Sequence, residues 1–315
     1  MLKTKILKLF RSLIKILLPL LHKILIKLKI NRRVINFLKD KAYFGNANHD
    51  FKQIIEKNLK SEKIIALDVG AQGGFNSDNF FPSKYNLFFN SILIEPNIDE
   101  ANKLKKNKYI LNKGLWSNKE TKELFILGNR PGSSSMFMPN EKNFDLHDIK
   151  KKDYKNFKVT DQKKIDCDTL NNLLSELKIE NLDYLKIDTQ GSELEIMKGL
   201  GNYRPLLLRI EAHVFSMYKN VPSWHKLLNY LYELNYVLID WKGIGSHSSR
   251  IPAEMDMILI PNFNNDEGKK LILKSKEKFK SLMLIFGQLN LLKLIFTRFN
   301  LVTIDIDKFE DNYFN

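Results

Sequence analysis

Short apolar runs alternate with helical patterns through the middle of the chain. Apolar runs between turn residues predict strands at 64–69, 91–95, 109–112, 183–188, 206–211, 236–240 and 255–260. Helical spacing predicts helices at 74–80, 98–106, 168–178, 192–199 and 222–235. This alternation is typical of an α/β domain with a doubly wound, mostly parallel sheet. A β-rich insert with a strand at 123–127 is predicted before residue 183. The last two strands have no crossover helix between them, which favours an antiparallel pair at the sheet edge.

Both ends of the chain are basic and rich in Leu and Ile at helical spacing. Residues 1–41 carry +11 of the net charge of +15. In residues 1–30, most Lys and Arg fall on one half of a helical wheel and most Leu and Ile on the other, which favours a helix lying on an anionic membrane surface. The alternative is a helix that packs on the body or on a second protomer. The longest uncharged stretch, 16–22, is far short of the about 20 residues that a spanning helix needs.

Charge and cysteine content narrow the function classes. The 274 residues after the arm carry only +4, which argues against nucleic acid as a partner of the body. Cys167 is the only cysteine, so the chain suits a reducing compartment and we expect a cytoplasmic protein, with the arm favouring the inner membrane surface. The histidines are scattered and no Cys/His group has zinc-ligand spacing, so no metal site is predicted.

The stretch Asp68–Gly74 is a glycine-rich turn directly after the first predicted strand. Ligands of open α/β sheets bind beyond the carboxyl ends of the strands, where such a turn lets them approach the backbone. Gln72 stands where a dinucleotide fingerprint has its second glycine, and the chain has no phosphate-binding P-loop motif. A carboxylate at Asp68 repels phosphate and attracts an ammonium group. The alternative is that Asp68 and Gly70 only close a strand-to-helix turn.

Glu95 ends the second predicted strand, 25 residues after Gly70. An acid at about this spacing is placed to accept hydrogen bonds from ribose hydroxyls. A ligand with a ribose, a cationic amino-acid end and no phosphate fits both acids, and S-adenosylmethionine is such a ligand.

A second group of polar residues follows later strands of the same sheet. Asp188 ends the strand 183–188, and His213 follows the strand 206–211 two residues after Glu211. Either Asp188 or His213 is a candidate general base. A divalent cation between Asp188 and Glu211 is an alternative way to lower a hydroxyl pKa, although none is predicted. Ser192 and Glu195 have the spacing of a capping box, which gives Glu195 a structural role.

These segments resemble the FkbM family of S-adenosylmethionine-dependent methyltransferases. The resemblance covers about residues 50–262 and excludes both ends of the chain. Many members have Glu where this chain has Gln190. The matching segments are Leu67–Ala71, Ile94–Asn97, Leu185–Glu193 and Ile210–His213.

The resemblance implies a class I methyltransferase (Rossmann-like) fold, with a seven-stranded sheet whose last strand is antiparallel, and O-methylation of a sugar, glycan or related small molecule. By position, Asp188 and His213 would face the acceptor. The residues expected to bind S-adenosylmethionine are Asp68, Gly70, Ala71, Gln72 and Gly74 in the glycine loop, Glu95 at the ribose, and Asn112 and Gly114 at the adenine. We divide the chain into a basic arm (1–45), a methyltransferase domain (46–262) and a helical extension (263–315). A non-catalytic membrane-peripheral scaffold with the same fold is the alternative.

Overall fold

The computed structural model describes residues 50–104, 109–242, 253–307 and 309. The predicted amphipathic helix of residues 1–30 lies outside the described residues. The strands are β1 (Ile64–Val69), β2 (Phe89–Ile94), β3 (Ile110–Leu111), β4 (Gly114–Leu115), β5 (Glu120–Ile126), β6 (Asp161–Asp168), β7 (Tyr184–Ile187), β8 (Leu207–His213), β9 (Tyr236–Lys242) and β10 (Glu254–Pro261). The helices are α1 (Lys52–Leu59), α2 (Ile98–Lys103), α3 (Leu170–Glu176), α4 (Glu193–Lys198), α5 (Trp224–Glu233), α6 (Asp266–Lys274), α7 (Lys276–Ile285), α8 (Leu289–Arg298) and α9 (Ile304–Asp307).

Seven strands form one twisted sheet in the order β3-β2-β1-β7-β8-β10-β9. Neighbouring strands from β3 to β8 are parallel, whereas β10 runs antiparallel to both β8 and β9. Because β9 lies at the edge and β10 lies between it and β8, the predicted antiparallel pair is confirmed. The α/β class, the Rossmann-like seven-stranded sheet and the antiparallel last strand are therefore confirmed.

One face of the sheet is apolar throughout. Its strands supply alternating residues such as Leu67, Leu185 and Leu208, each fully buried. Residues of α3, α4 and α5 pack on this face, so these three helices cover one side of the parallel strands.

The opposite face combines aromatic rings with charges. Phe89 on β2 and Tyr184 on β7, the strands on either side of β1, contact each other and Phe75, and Tyr184 also contacts Phe286, with ring centroids 5.1–6.4 Å apart. Asp68, Lys186 and Arg209 also lie on this face, and the strand register places them side by side on β1, β7 and β8. A row of ionisable groups thus crosses β1, β7 and β8 inside the fold.

The insert between β3 and β7 contains its own three-stranded sheet, which confirms the predicted β-rich insert. β5 and β6 form an antiparallel pair, and the short strand β4 lies beside β6 in parallel. Short 3-10 turns, including 131–133 and 145–147, connect β5 to β6.

The predicted helix at 74–80 is wrong. Gly73 and Gly74 have φ angles of +80° and +95°, and Asn76 and Asn79 also lie in the left-handed region at +53°. A run of such residues forms consecutive turns instead of a right-handed helix.

The compact unit that contains the sheet extends from Phe51 to Phe286. It therefore includes α6 and α7 and continues past residue 262, the predicted end of the methyltransferase domain. Within this unit, α1 packs on α7. Among the helices that the structure describes, none has the length and apolarity needed to cross a membrane.

Candidate active site

Gly70 forms the turn by which the chain leaves β1. Its φ is +77°, and a Cβ at this position would lie 1.9 Å from the backbone oxygen of Asp188. The backbone N–H groups of Gly70 and Ala71 both donate to Ile94 O, at 3.0 and 3.1 Å. Only glycine fits this conformation and this contact, so Gly70 brings the ends of β1, β2 and β7 together.

A cleft opens at these strand ends. Its empty volume is about 580 Å³, part of it open to solvent. Four of the predicted site residues line it, namely Gly70, Gln72, Glu95 and Asp188. The other predicted residues do not line it, and these are Asp68, Ala71, Gly74, Asn112, Gly114 and His213.

Glu95 is a buried acid in the wall of this cleft. Its side chain accepts a hydrogen bond from Asn97 N–H at 2.8 Å, and no Lys or Arg of the described residues forms an ion pair with it. Burial raises the pKa of Glu95 from 4.5 to about 7, although the bond from Asn97 lowers it. The carboxyl group therefore changes charge near neutral pH and has acceptor capacity left for a ligand.

Asn112 and Gly114, predicted at the adenine, have structural contacts. The amide of Asn112 donates to the backbone oxygens of Glu95 and Pro96, at 2.8 and 2.9 Å, and so holds the end of β2. A Cβ at Gly114 would lie 2.5 Å from Cys167 Sγ, so the close packing of β4 on β6 requires glycine. Their neighbours Lys113 and Leu115 line the cleft instead.

The insert closes part of the cleft. A Cβ at Gly132 would lie 1.9 Å from Gln72 Oε1, which shows how closely the Gln72 side chain approaches this loop. Ser135 Oγ donates to Gln190 O at 2.8 Å and thereby fastens the insert to the turn after β7. Ser134, Ser135 and Met136 line the cleft, although both serine hydroxyls already have partners in the protein.

Asp68 lies beneath the cleft and forms an ion pair. Only 2% of its side chain is exposed, and Lys186 Nζ lies 3.0 Å from its Oδ1. Burial raises the pKa of Asp68, and the Lys186 ammonium opposes that shift. The charge that the sequence suggests for a ligand ammonium is thus balanced by a lysine of β7.

The side-chain amide of Gln190 donates hydrogen bonds to two acids, Asp188 and Glu211. Gln190 Nε2 donates to Asp188 Oδ1 at 3.1 Å and to Glu211 Oε2 at 2.6 Å. The Tyr218 hydroxyl lies 2.9 Å from Gln190 Oε1, which fixes the orientation of the amide. Burial raises the pKa of Glu211, and the nearby Asp188 charge raises it further. Burial also favours neutral Asp188, but Lys186, 3.6 Å away, brings its pKa below the ordinary value.

His213, at the end of β8, is buried, with 3% of its side chain exposed. Its ring stacks on Tyr218, and its Nε2 lies 3.5 Å from Glu211 Oε2. Burial lowers the pKa of His213 to about 4, and the Glu254 carboxylate only partly opposes this. The imidazole is therefore neutral near pH 7 and set back from the cleft that Asp188 lines.

The predicted capping box is wrong. Ser192 makes no side-chain capping bond, and Glu195 accepts from Lys198 Nζ at 2.6 Å instead. Glu193 has the structural role, because its Oε1 accepts from the backbone N–H groups of Thr189 and Gly191 at 3.0 Å. The Ser192 hydroxyl is buried in the cleft wall and has no hydrogen-bond partner among the described residues.

Two buried cations, Lys186 and Arg209, were not predicted as site residues. Arg209 pairs with Asp78 and Asp256 and stacks on the Phe80 ring, 3.7 Å from its centroid. The available signal is a single basic residue inside an apolar strand, since such a charge needs a buried partner.

Comparison with known proteins agrees with this geometry. No curated protein matches the chain. The sequence model of the methyltransferase FkbM domain matches residues 68–238, just over half of the chain. The match begins at Asp68 and includes the strand ends that form the cleft. The chain therefore belongs to the FkbM methyltransferase family, whose members typically use S-adenosylmethionine.

Proposed function

We propose that this protein is an S-adenosylmethionine-dependent O-methyltransferase that acts on a hydroxyl group of a saccharide, glycan or related small molecule. The main supporting observation is that Glu95 and Asp188 line one cleft at the carboxyl ends of β2 and β7. The first is a buried acid with spare acceptor capacity, and the second is an acid with 28% of its side chain exposed. Glu95 suits ribose hydroxyls, and Asp188 suits an acceptor hydroxyl.

The residues of the cleft fit the cofactor. Gly70 keeps the backbone at the end of β1 free of a side chain, and Glu95 accepts from the ribose hydroxyls. The Ser192 hydroxyl, without a partner among the described residues, offers one further donor and acceptor in the cleft wall. Bound S-adenosylmethionine supplies a methyl group on a sulfonium, which is a good leaving group.

The protein's remaining tasks are to position the acceptor and take its proton. An acceptor oxygen must be held about 3–3.5 Å from the carbon that it attacks. Asp188 is the better candidate base, because it lines the cleft whereas His213 is set back from it. Gln190 and Lys186 hold the Asp188 carboxylate in place, at 3.1 and 3.6 Å. An anionic carboxylate in this position both orients a hydroxyl and accepts its proton as the new bond forms.

Cofactor binding is tested by calorimetric titration of S-adenosylmethionine into the full chain. We expect saturable binding that Glu95→Ala weakens at least 10-fold, because two hydroxyl contacts are lost. Glu123→Ala, which makes the same change at an exposed acid on β5, is the matched control and should leave the affinity unchanged. The absence of binding at high micromolar cofactor would refute the proposal.

Turnover separates the enzyme from the scaffold alternative. Incubation with methyl-labelled S-adenosylmethionine and glycan extracts should transfer label, and Asp188→Asn should reduce the rate by 10²-fold or more, since base catalysis is typically worth 10²–10⁴-fold. Cofactor binding without transfer to any glycan or small-molecule acceptor would favour a scaffold.

The membrane location rests on the charge pattern of residues 1–30 alone. We propose that this arm holds the protein on the anionic inner surface of a membrane. Deleting residues 1–41 should release the protein from vesicles that contain anionic lipid, and the full chain should not bind vesicles of neutral lipid. Unchanged partitioning of the truncated protein would contradict a role for the arm.

A further inference from the structure

We propose that Glu211, His213, Glu254 and His147 bind a divalent transition-metal ion. The ligand atoms of Glu211, His213 and Glu254 form a compact group, and His147 adjoins this group through Glu254. His213 Nε2 lies 3.5 Å from Glu211 Oε2 and 3.9 Å from Glu254 Oε2, and His147 Nδ1 lies 3.6 Å from the same Glu254 oxygen. The ligand atoms of Glu211, His213 and Glu254 all lie within 4.8 Å of one another.

Two buried imidazole nitrogens point into this cluster without a hydrogen-bond partner. His213 Nε2 and His147 Nδ1 are both inaccessible to solvent, and neither has a partner among the described residues. Each side chain is 3% exposed. A buried nitrogen left without a hydrogen bond is costly, so two that lie within 4 Å of the same Glu254 oxygen indicate a missing ligand.

The tautomer of His147 agrees with this interpretation. Its Nε2 lies 2.6 Å from the backbone oxygen of Phe215, an acceptor only, so Nε2 carries a proton and Nδ1 is the nitrogen available to bind a metal. Metal-binding histidines commonly donate their other N–H to a carbonyl or carboxylate in this way. Nδ1 of His147 lies on the side of the ring that faces Glu254.

The spacing suits a small dication. Two ligand atoms about 2.1 Å from a tetrahedral ion are about 3.4 Å apart. The separations of 3.5, 3.9 and 3.6 Å between neighbouring ligand atoms are close to that value. Two carboxylates would also balance the charge of a dication. Nitrogen ligands favour Zn²⁺, Fe²⁺ or Co²⁺ over Mg²⁺ and Ca²⁺, which prefer oxygen.

An ion here would join three parts of the compact unit. Glu211 and His213 lie on β8, Glu254 lies opposite His213 on β10, and His147 belongs to the insert. Because Gln190 links Glu211 to Asp188, the ion would also fix the polar side of the cleft. Coordination uses the Nε2 lone pair of His213, which leaves proton transfer to Asp188. The metal site goes beyond the proposed function and does not depend on the cofactor or acceptor.

Cobalt is a suitable probe because its visible absorption reports coordination directly. We expect Co²⁺, titrated into the metal-free full chain without a histidine tag, to give visible bands that saturate at one equivalent. Zn²⁺ should abolish them by displacement. His213→Ala and His147→Ala should each weaken binding at least 10-fold, while His225→Ala, which changes an exposed histidine of α5, should not.

Glu254→Gln keeps the size of the side chain and tests the site if an alanine variant fails to fold. It should also weaken Co²⁺ binding at least 10-fold, with unchanged circular dichroism. Absence of visible bands at millimolar Co²⁺, or bands of equal strength in the His213 and Glu254 variants, would overturn the proposal. Neither cofactor nor acceptor is present in this titration, so its failure is distinct from failure of the methyltransferase proposal.

Discussion

Replacing Glu95 with Gln should stabilise the protein at alkaline pH while it weakens cofactor binding. The native state raises the pKa of Glu95 from 4.5 to about 7, chiefly through burial. Between these values the native state binds a proton that the unfolded chain has already released, so ionisation of Glu95 costs stability as pH rises from 4.5 through 7. Gln has no such ionisation and keeps an oxygen that accepts from Asn97 N–H.

The size of the effect follows from the pKa difference. One pKa unit corresponds to about 1.4 kcal/mol, so a shift of about 2.5 units destabilises the wild type by about 3 kcal/mol at pH 8. At pH 5.5, where native Glu95 is still protonated, the same linkage gives about 1.4 kcal/mol. Glu95→Gln should therefore gain about 2 kcal/mol more stability at pH 8 than at pH 5.5.

Urea denaturation followed by tryptophan fluorescence measures this difference, with the wild type and the variant compared at both pH values. Comparing the two proteins cancels the other ionisable groups, which titrate in both. Glu123→Gln is the control. Because the Glu123 side chain is exposed, the free energy of unfolding of this variant should hardly differ from that of the wild type at either pH. A difference of equal size at both pH values would show that burial does not raise the Glu95 pKa.

Contacts near Gly70 and Asp68 lead to two further predictions. Gly70→Ala should lower the free energy of unfolding by at least about 3 kcal/mol, because φ is +77° and the new Cβ meets a backbone oxygen. Gly132→Ala should lower it by less than about 1 kcal/mol, because the new Cβ meets only the movable end of the Gln72 side chain. Equal losses of the two variants in urea denaturation would contradict this reasoning. Lys186→Met should cost about 3–5 kcal/mol by leaving Asp68 buried without its counter-charge, and adding Asp68→Asn should restore at least half of the loss. An additive double-mutant cycle would show that the two side chains do not interact.

Apolar patterning predicts the seven-stranded sheet well because burial on both faces leaves a clear signal. Every predicted strand of that sheet ends within two residues of its position in the structure. The turn after β1 is less predictable, since the residues from Phe75 to Phe80 have helical spacing while Gly73 and Gly74 take left-handed conformations. The prediction of a capping box is also wrong because of loop geometry. Glu193 and Glu195 are equally plausible in sequence, and only the loop geometry brings the Glu193 carboxylate to the N–H groups of Thr189 and Gly191.

Asp68, Glu95 and Asp188 look alike in sequence, because each follows an apolar run at a strand end. The fold gives them different partners, since β1 and β7 are neighbours in the sheet although more than 100 residues separate them. Lys186 therefore neutralises Asp68 and lies 3.6 Å from Asp188, while Glu95, on the other side of β1, forms no ion pair with the described residues. The acid without a cation is the one with a pKa near 7, and the acid beside both Lys186 and Gln190 stays charged at the edge of the cleft. Strand order, which no local pattern contains, thus decides which of these acids has a cation beside it.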